Sequence, residues 1–111
     1  MTAPTIDPAI FAELQETAGA EFAAELTTTF LEEAPIMLAE LRSAQAAGVA
    51  DTFRRAAHSL KSNSMTFGAT TLAAMSRALE QGGLISNTAP LDELEQEYQR
   101  VARALTELSR G

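Results

Sequence analysis

Residues 51–67 read DTFRRAAHSLKSNSMTF, and this stretch decides both the fold and the place of its chemistry. At about 100° per residue, Phe53, Ala56, Leu60, Ser64 and Phe67 share one helical face. Asp51, Arg54, Arg55, His58, Lys61, Ser62 and Met65 share the other. His58 is the only histidine in the chain and lies roughly 160° from Leu60 on this wheel. The spacing therefore predicts an imidazole turned to solvent, beside three cationic side chains and the small hydroxyls of Ser59 and Ser62. A positive patch is expected there, on a chain whose formal net charge is −7.

Working outward, Asp51 reads as the N-cap of this helix and Gly68 as its end or a bend. A longer helix precedes it, from Ala20 to a left-handed cap at Gly48. Its stripe is Phe22, Leu26, Phe30, Ala34, Met37, Leu38 and Leu41. Pro35 interrupts the hydrogen-bond ladder while the stripe stays in phase, so a kinked continuous helix is expected. Before it, Asp7-Pro8 reads as N-cap and first position of a short helix bearing Ile10, Phe11 and Leu14 and stopping at Gly19. Met1–Ile6 is expected to be a loose end. After the His58 helix, residues 70–81 carry Leu72, Met75, Ser76 and Leu79 on one side and stop at Gly82-Gly83. The last helix starts near Pro90, with Leu91, Leu94, Tyr98, Val101, Leu105 and Leu108 at alternating steps of three and four. Its early acids, Asp92, Glu93, Glu95 and Glu97, read as a solvated start favoured by the helix dipole. The expected fold is all-α: an antiparallel up-and-down four-helix bundle with a short extra N-terminal helix, one domain over 1–111 with its core at about 7–108.

Composition narrows the function. Hydrophobic residues make up 46% of the chain, too many for a disordered segment. The chain has no cysteine, so it can form neither a disulfide nor a thiolate metal site. The acidic balance disfavours nucleic acid and anionic membranes, no apolar run reaches spanning length, and Met1–Asp7 lacks the regions of a secretory signal. A cytoplasmic location fits. One histidine cannot build a zinc site of the usual ligand set within one chain, and no G-x-x-x-x-G-K phosphate loop is present.

A neutral imidazole nitrogen is a competent nucleophile. An arriving phosphoryl group needs charge partners for its oxygens, and Lys61, at i+3, reaches the same outer patch. Arg54 and Arg55 would steer an acidic partner, the small Ser62 leaves the ring approachable, and Met65 offers a soft apolar contact. On pattern alone, an exposed helical histidine among cations is equally ordinary solvated surface.

The run Ala57-His58-Ser59-Leu60-Lys61-Ser62-Asn63-Ser64, then Gly68-Ala69, Leu72 and Leu79-Glu80, resembles the signature of histidine-containing phosphotransfer (HPt) domains of bacterial multistep phosphorelays. Phe30-Leu31-Glu32-Glu33-Ala34-Pro35 is similar to a common family pattern on the preceding helix. The resemblance implies that His58 is the phosphorylated histidine and that Lys61 assists the phosphoryl group. Ser62 stands where many members carry glycine, a departure bearing on the shape of the docking surface. The resemblance further implies a relay between receiver-domain aspartates, with response-regulator receivers and a sensor or hybrid histidine kinase as partners. The domain would need no cofactor of its own, magnesium being expected on the receiver, and would have no autonomous kinase or ATPase activity. Arg54, Arg55, Ser59, Ser62 and Met65 are the expected docking residues, and a monomer is expected. The Met1 start and domain-sized length favour a free-standing protein. Two other readings stand beside it: a helical docking module without chemistry, and an enzyme using His58 as a general base.

Overall fold

The computed structural model describes residues 5–110. Five helices follow in order, α1 (Pro8–Ala18), α2 (Ala20–Ala47), α3 (Ala50–Thr66), α4 (Thr70–Gly82) and α5 (Ala89–Arg110), and the described residues contain no strand. Helices α2 to α5 pack in a closed ring, each against its neighbour in sequence and α5 back against α2, while α1 lies across α2 and α3. Connections of two, three and six residues leave no room for crossovers, so the bundle runs up and down as expected. The 28 residues of α2, at about 1.5 Å each, account for the 41 Å long axis of the molecule.

The helix signals act largely as read. Asp7 caps α1, its Oδ1 accepting the Ala9 amide at 3.0 Å, with Pro8 in the first turn. Gly48 closes α2 in the left-handed region at φ 71°. Pro35 sits inside an unbroken α2. It has no amide to give the carbonyl of Leu31 one turn back, and the Tyr98 hydroxyl of α5 donates to that carbonyl at 3.2 Å. The ladder defect thus becomes a tie between helices. Arg42 makes a second tie from α2, to Asp92 and Glu95 on α5, both at 2.6 Å.

Several expectations need correction. Ile6 is no loose end: it is buried in the core, and the Asp7 amide donates to the Gly68 carbonyl at 2.8 Å. Residues 1–4 lie outside the described residues. Asp51 does not cap α3. The helix begins one residue earlier, Val49 occupies the cap without a side-chain bond, and Asp51 in the first turn pairs with Arg54. Phe22 is exposed, because Ala23 and Thr27 take the inner positions of α2. Taking Phe30 as zero, the buried arc of α2 centres near +20°, and Phe22 falls about 100° from that centre. Leu108 is likewise exposed. The acidic start of α5 is only partly solvated: Asp92 and Glu95 hold Arg42, and Glu97 is buried with its carboxylate on Arg100 at 2.9 Å.

α3 and α4 form the most extensive helix pair. Ala57 and Ser64 on α3, and Ala73 and Ser76 on α4, are buried and small, which lets two helices approach closely. The hydroxyls stay satisfied by donating one turn back, Ser64 to Leu60 at 2.6 Å and Ser76 to Leu72 at 2.8 Å. The turn between these helices depends on Gly68, at φ 80°. A β-carbon there would lie 2.9 Å from the Asp7 carbonyl oxygen and 3.1 Å from the Ile10 β-carbon. Gly48 has a similar φ but open space around it. Gly48→Ala should therefore cost about 1 kcal/mol, the strain of a left-handed alanine. Gly68→Ala should cost more, roughly 2–4 kcal/mol, because backbone must also move. Urea unfolding of both variants measures the difference; equal losses would mean that α1 yields freely.

Candidate functional site

α3 turns its apolar face inward through Phe53, Ala56, Ala57 and Leu60, all buried. That orientation leaves His58 outside, with 57% of its side chain exposed. The fully buried Ala57 next to it lets α4 come close. Here α4 supplies Glu80. Its Oε2 lies 2.6 Å from His58 Nδ1, and its Oε1 accepts from Lys61 Nζ at 2.7 Å. One carboxylate therefore holds both heads. Lys61 and Glu80 are each about one-fifth exposed, so the pair is sheltered while the ring stands out.

The Lys61 ammonium first, and the His58 ring second, hold the Glu80 carboxyl below its ordinary range. Glu80 is then ionised at neutral pH, and a carboxylate can only accept hydrogen bonds. The proton between the two groups must sit on Nδ1. In the neutral ring, Nε2 is left bearing the free lone pair.

Arg54 is turned onto Asp51, and Glu80 sits between His58 and Lys61. The expected positive patch is therefore largely ion-paired, and Arg55 is the cation of α3 that holds no ion pair among the described residues. Arg55 and Ser59 line a groove between α2 and α3 with Met37 and Glu40. Ser62 is exposed, and Met65, 59% exposed, lines a second groove against α1 and α4 together with Lys61. His58 lines neither groove. Glu80 is the residue that sequence reasoning quoted without giving a role. Its position was legible in Leu79-Glu80, but a helical wheel relates residues within one helix and not across two.

The Hpt domain family matches residues 25–104. A similar solved structure is that of histidine-containing phosphotransfer protein B (HptB) from Pseudomonas aeruginosa PAO1, 29% identical to this chain. The match covers 98% of this chain and 97% of that one, with a TM-score of 0.90. A search of curated proteins gave no match. The chain belongs to the Hpt domain family. It is a histidine phosphotransfer protein of two-component signalling, in a family of phosphotransfer intermediates that work with receiver domains and histidine kinases. No helix among the described residues is long and apolar enough to cross a membrane.

The lowered Glu80 value carries a pH signature. A carboxyl depressed in the folded state adds stability that is complete above its unfolded value, ordinarily 4.5, and is lost as pH falls through the lowered value. Wild type should exceed Glu80→Gln in unfolding free energy at pH 7, and the gap should narrow as pH falls below 4.5 and through the lowered value. A gap that persists unchanged at pH 3 would show that the ionic contacts of Glu80 add nothing.

Proposed function

We propose that His58 is the phosphoacceptor and that Nε2 is its nucleophilic atom. The observation that carries this reading is the Glu80 carboxylate shared by the ring and Lys61, at 2.6 and 2.7 Å. The donor is the aspartyl phosphate of a receiver domain. The Nε2 lone pair attacks phosphorus in line, the P–O bond to the aspartate breaks, and the carboxylate leaves with the bonding pair. Forming the N–P bond makes the ring cationic, with its Nδ1 proton in place, and Glu80 faces that charge. On transfer to a second receiver the N–P bond breaks, and the ring departs as neutral imidazole because Nδ1 still holds its proton. Lys61 sets an ammonium beside the phosphoryl oxygens, whose charge is the main demand of such a step. The magnesium ion and acidic pocket belong to the receiver. The domain acts as a carrier without kinase or ATPase activity of its own, and as a monomer in the cytoplasm. Arg54, Arg55, Ser59, Ser62 and Met65, all on the exposed face of α3, contribute to docking.

The general-base alternative wants a cavity at the histidine, yet His58 stands in the open and lines neither flanking groove. A docking module without chemistry would have no use for one carboxylate that orders both ring and ammonium.

Incubation with a phosphorylated receiver should give acid-labile, alkali-stable label on wild type and none on His58→Gln. Equal labelling of the two would rule out the site. Lys61→Ala should slow transfer roughly a hundredfold, the usual cost of losing one donor to a developing phosphoryl charge. Its circular dichroism should stay near wild type, while its unfolding midpoint should fall modestly at pH 7 with the loss of the Glu80 pair.

A further inference from the structure

Lys61 is the only lysine in the chain, and the other cations among its 8 lysine and arginine residues are all arginines. The one histidine and the one lysine of the sequence meet on the same carboxylate. Residue type bears on what that contact can do. An arginine fork fixes itself on carboxylates, as Arg42 does on Asp92 and Glu95. A lysine ammonium is a point charge on a flexible stem, with three donors that rotate. Its present contact lies on the Nδ1 side of the ring, where one oxygen of Glu80 faces Nδ1 and the other accepts from Lys61 at 2.7 Å. A phosphoryl group bound to Nε2 meets an ammonium already committed to another anion.

We infer that Lys61 is a shuttle between two anions: its ammonium rests on Glu80 while the ring is free, and leaves Glu80 for the phosphoryl oxygens when Nε2 is phosphorylated. This inference rests on His58 being the phosphoacceptor. No covalent bond of Lys61 changes; its N–H donors exchange one acceptor for another. Charge favours the exchange, because a phosphoryl group brings more negative charge than a single carboxylate. Glu80 is not stranded by it. The N–P bond makes the ring cationic, and Glu80 Oε2 already lies 2.6 Å from Nδ1. That replacement matters for a carboxylate only one-fifth exposed, which is costly to leave without a counter-charge. Reach permits the move, since Lys61 stands one turn from His58 on α3 and its stem is flexible. Arg54, one turn before the ring, is held by Asp51 and does not take its place. On onward transfer the ammonium returns to Glu80. The carboxylate thus competes with the phosphoryl group for Lys61 and weakens its hold, which suits a carrier that must release what it receives.

One lysine gives one side-chain signal, so protein labelled with nitrogen-15 lysine reads the exchange directly. The Lys61 Nζ shifts of wild type and Glu80→Gln should differ while the ring is free. After loading by phosphoramidate, a small phosphoryl donor, the two should converge. A difference that persists undiminished after loading would overturn the shuttle. Lys61→Arg supplies a kinetic arm, with circular dichroism to show that each variant is folded. It keeps the charge but fixes it on Glu80, so loading by phosphoramidate should fall roughly tenfold. Adding Glu80→Gln should recover part of that loss, because the amide oxygen still accepts from Nδ1 but no longer pairs with a guanidinium. Wild-type loading of Lys61→Arg, or no recovery in the double variant, would also overturn the shuttle. Should phosphoramidate label wild type and His58→Gln equally, the phosphoacceptor reading itself fails, a result separate from any behaviour of Lys61.

Discussion

The bond between the Glu80 carboxylate and the Nδ1 side of His58 is the constraint on which the site depends. A solvent-exposed imidazole has two nitrogens and free rotation about its stem. A fixed acceptor on one nitrogen removes both ambiguities, because it selects the tautomer and points the remaining lone pair away from the bundle. The second carboxylate oxygen holds Lys61, so the ammonium and the ring nitrogen proposed to handle the phosphoryl group are both set by one side chain. Nothing in this arrangement requires burial of the ring. The ring stays available to another protein while its support, one-fifth exposed, is largely shielded.

That support depends in turn on backbone placement. Glu80 belongs to α4 and its partners to α3, 22 and 19 positions earlier in the chain. They meet because small buried residues bring the helices close, and because the turn at Gly68 is pinned to the start of α1. The Asp7 amide bonds to Gly68, and Ile6 is buried in the core beside it. The short α1 is therefore more than a cap. It holds the turn from which α4 departs and supplies Ile10 to the groove beside Lys61.

The bundle was largely legible because its helices announce themselves by period and by punctuation. Asp7-Pro8, Gly19, Gly48 and Gly83 stand at element boundaries for local reasons that a sequence displays. The exposure of His58 followed from the period alone. The failures have a common cause in contacts between elements. Phe22 is more apolar than Ala23 and Thr27, yet the facing helices bury the smaller residues. Asp51 is a good cap by type, but α3 starts one residue before it and its carboxylate goes to Arg54. Glu97 looked like a solvated acid and is covered by the bundle. Glu80 is the most consequential case, since its identity was plain and its partners were not.

The central claim is that Glu80 leaves Nε2 as the reacting atom, and the product isomer tests it most directly. His58 labelled with nitrogen-15 would be phosphorylated by a receiver domain, held at alkaline pH, and read for coupling between phosphorus and each ring nitrogen. The account predicts coupling at Nε2 alone. Phosphorus on Nδ1, the nitrogen that faces Glu80, would contradict it.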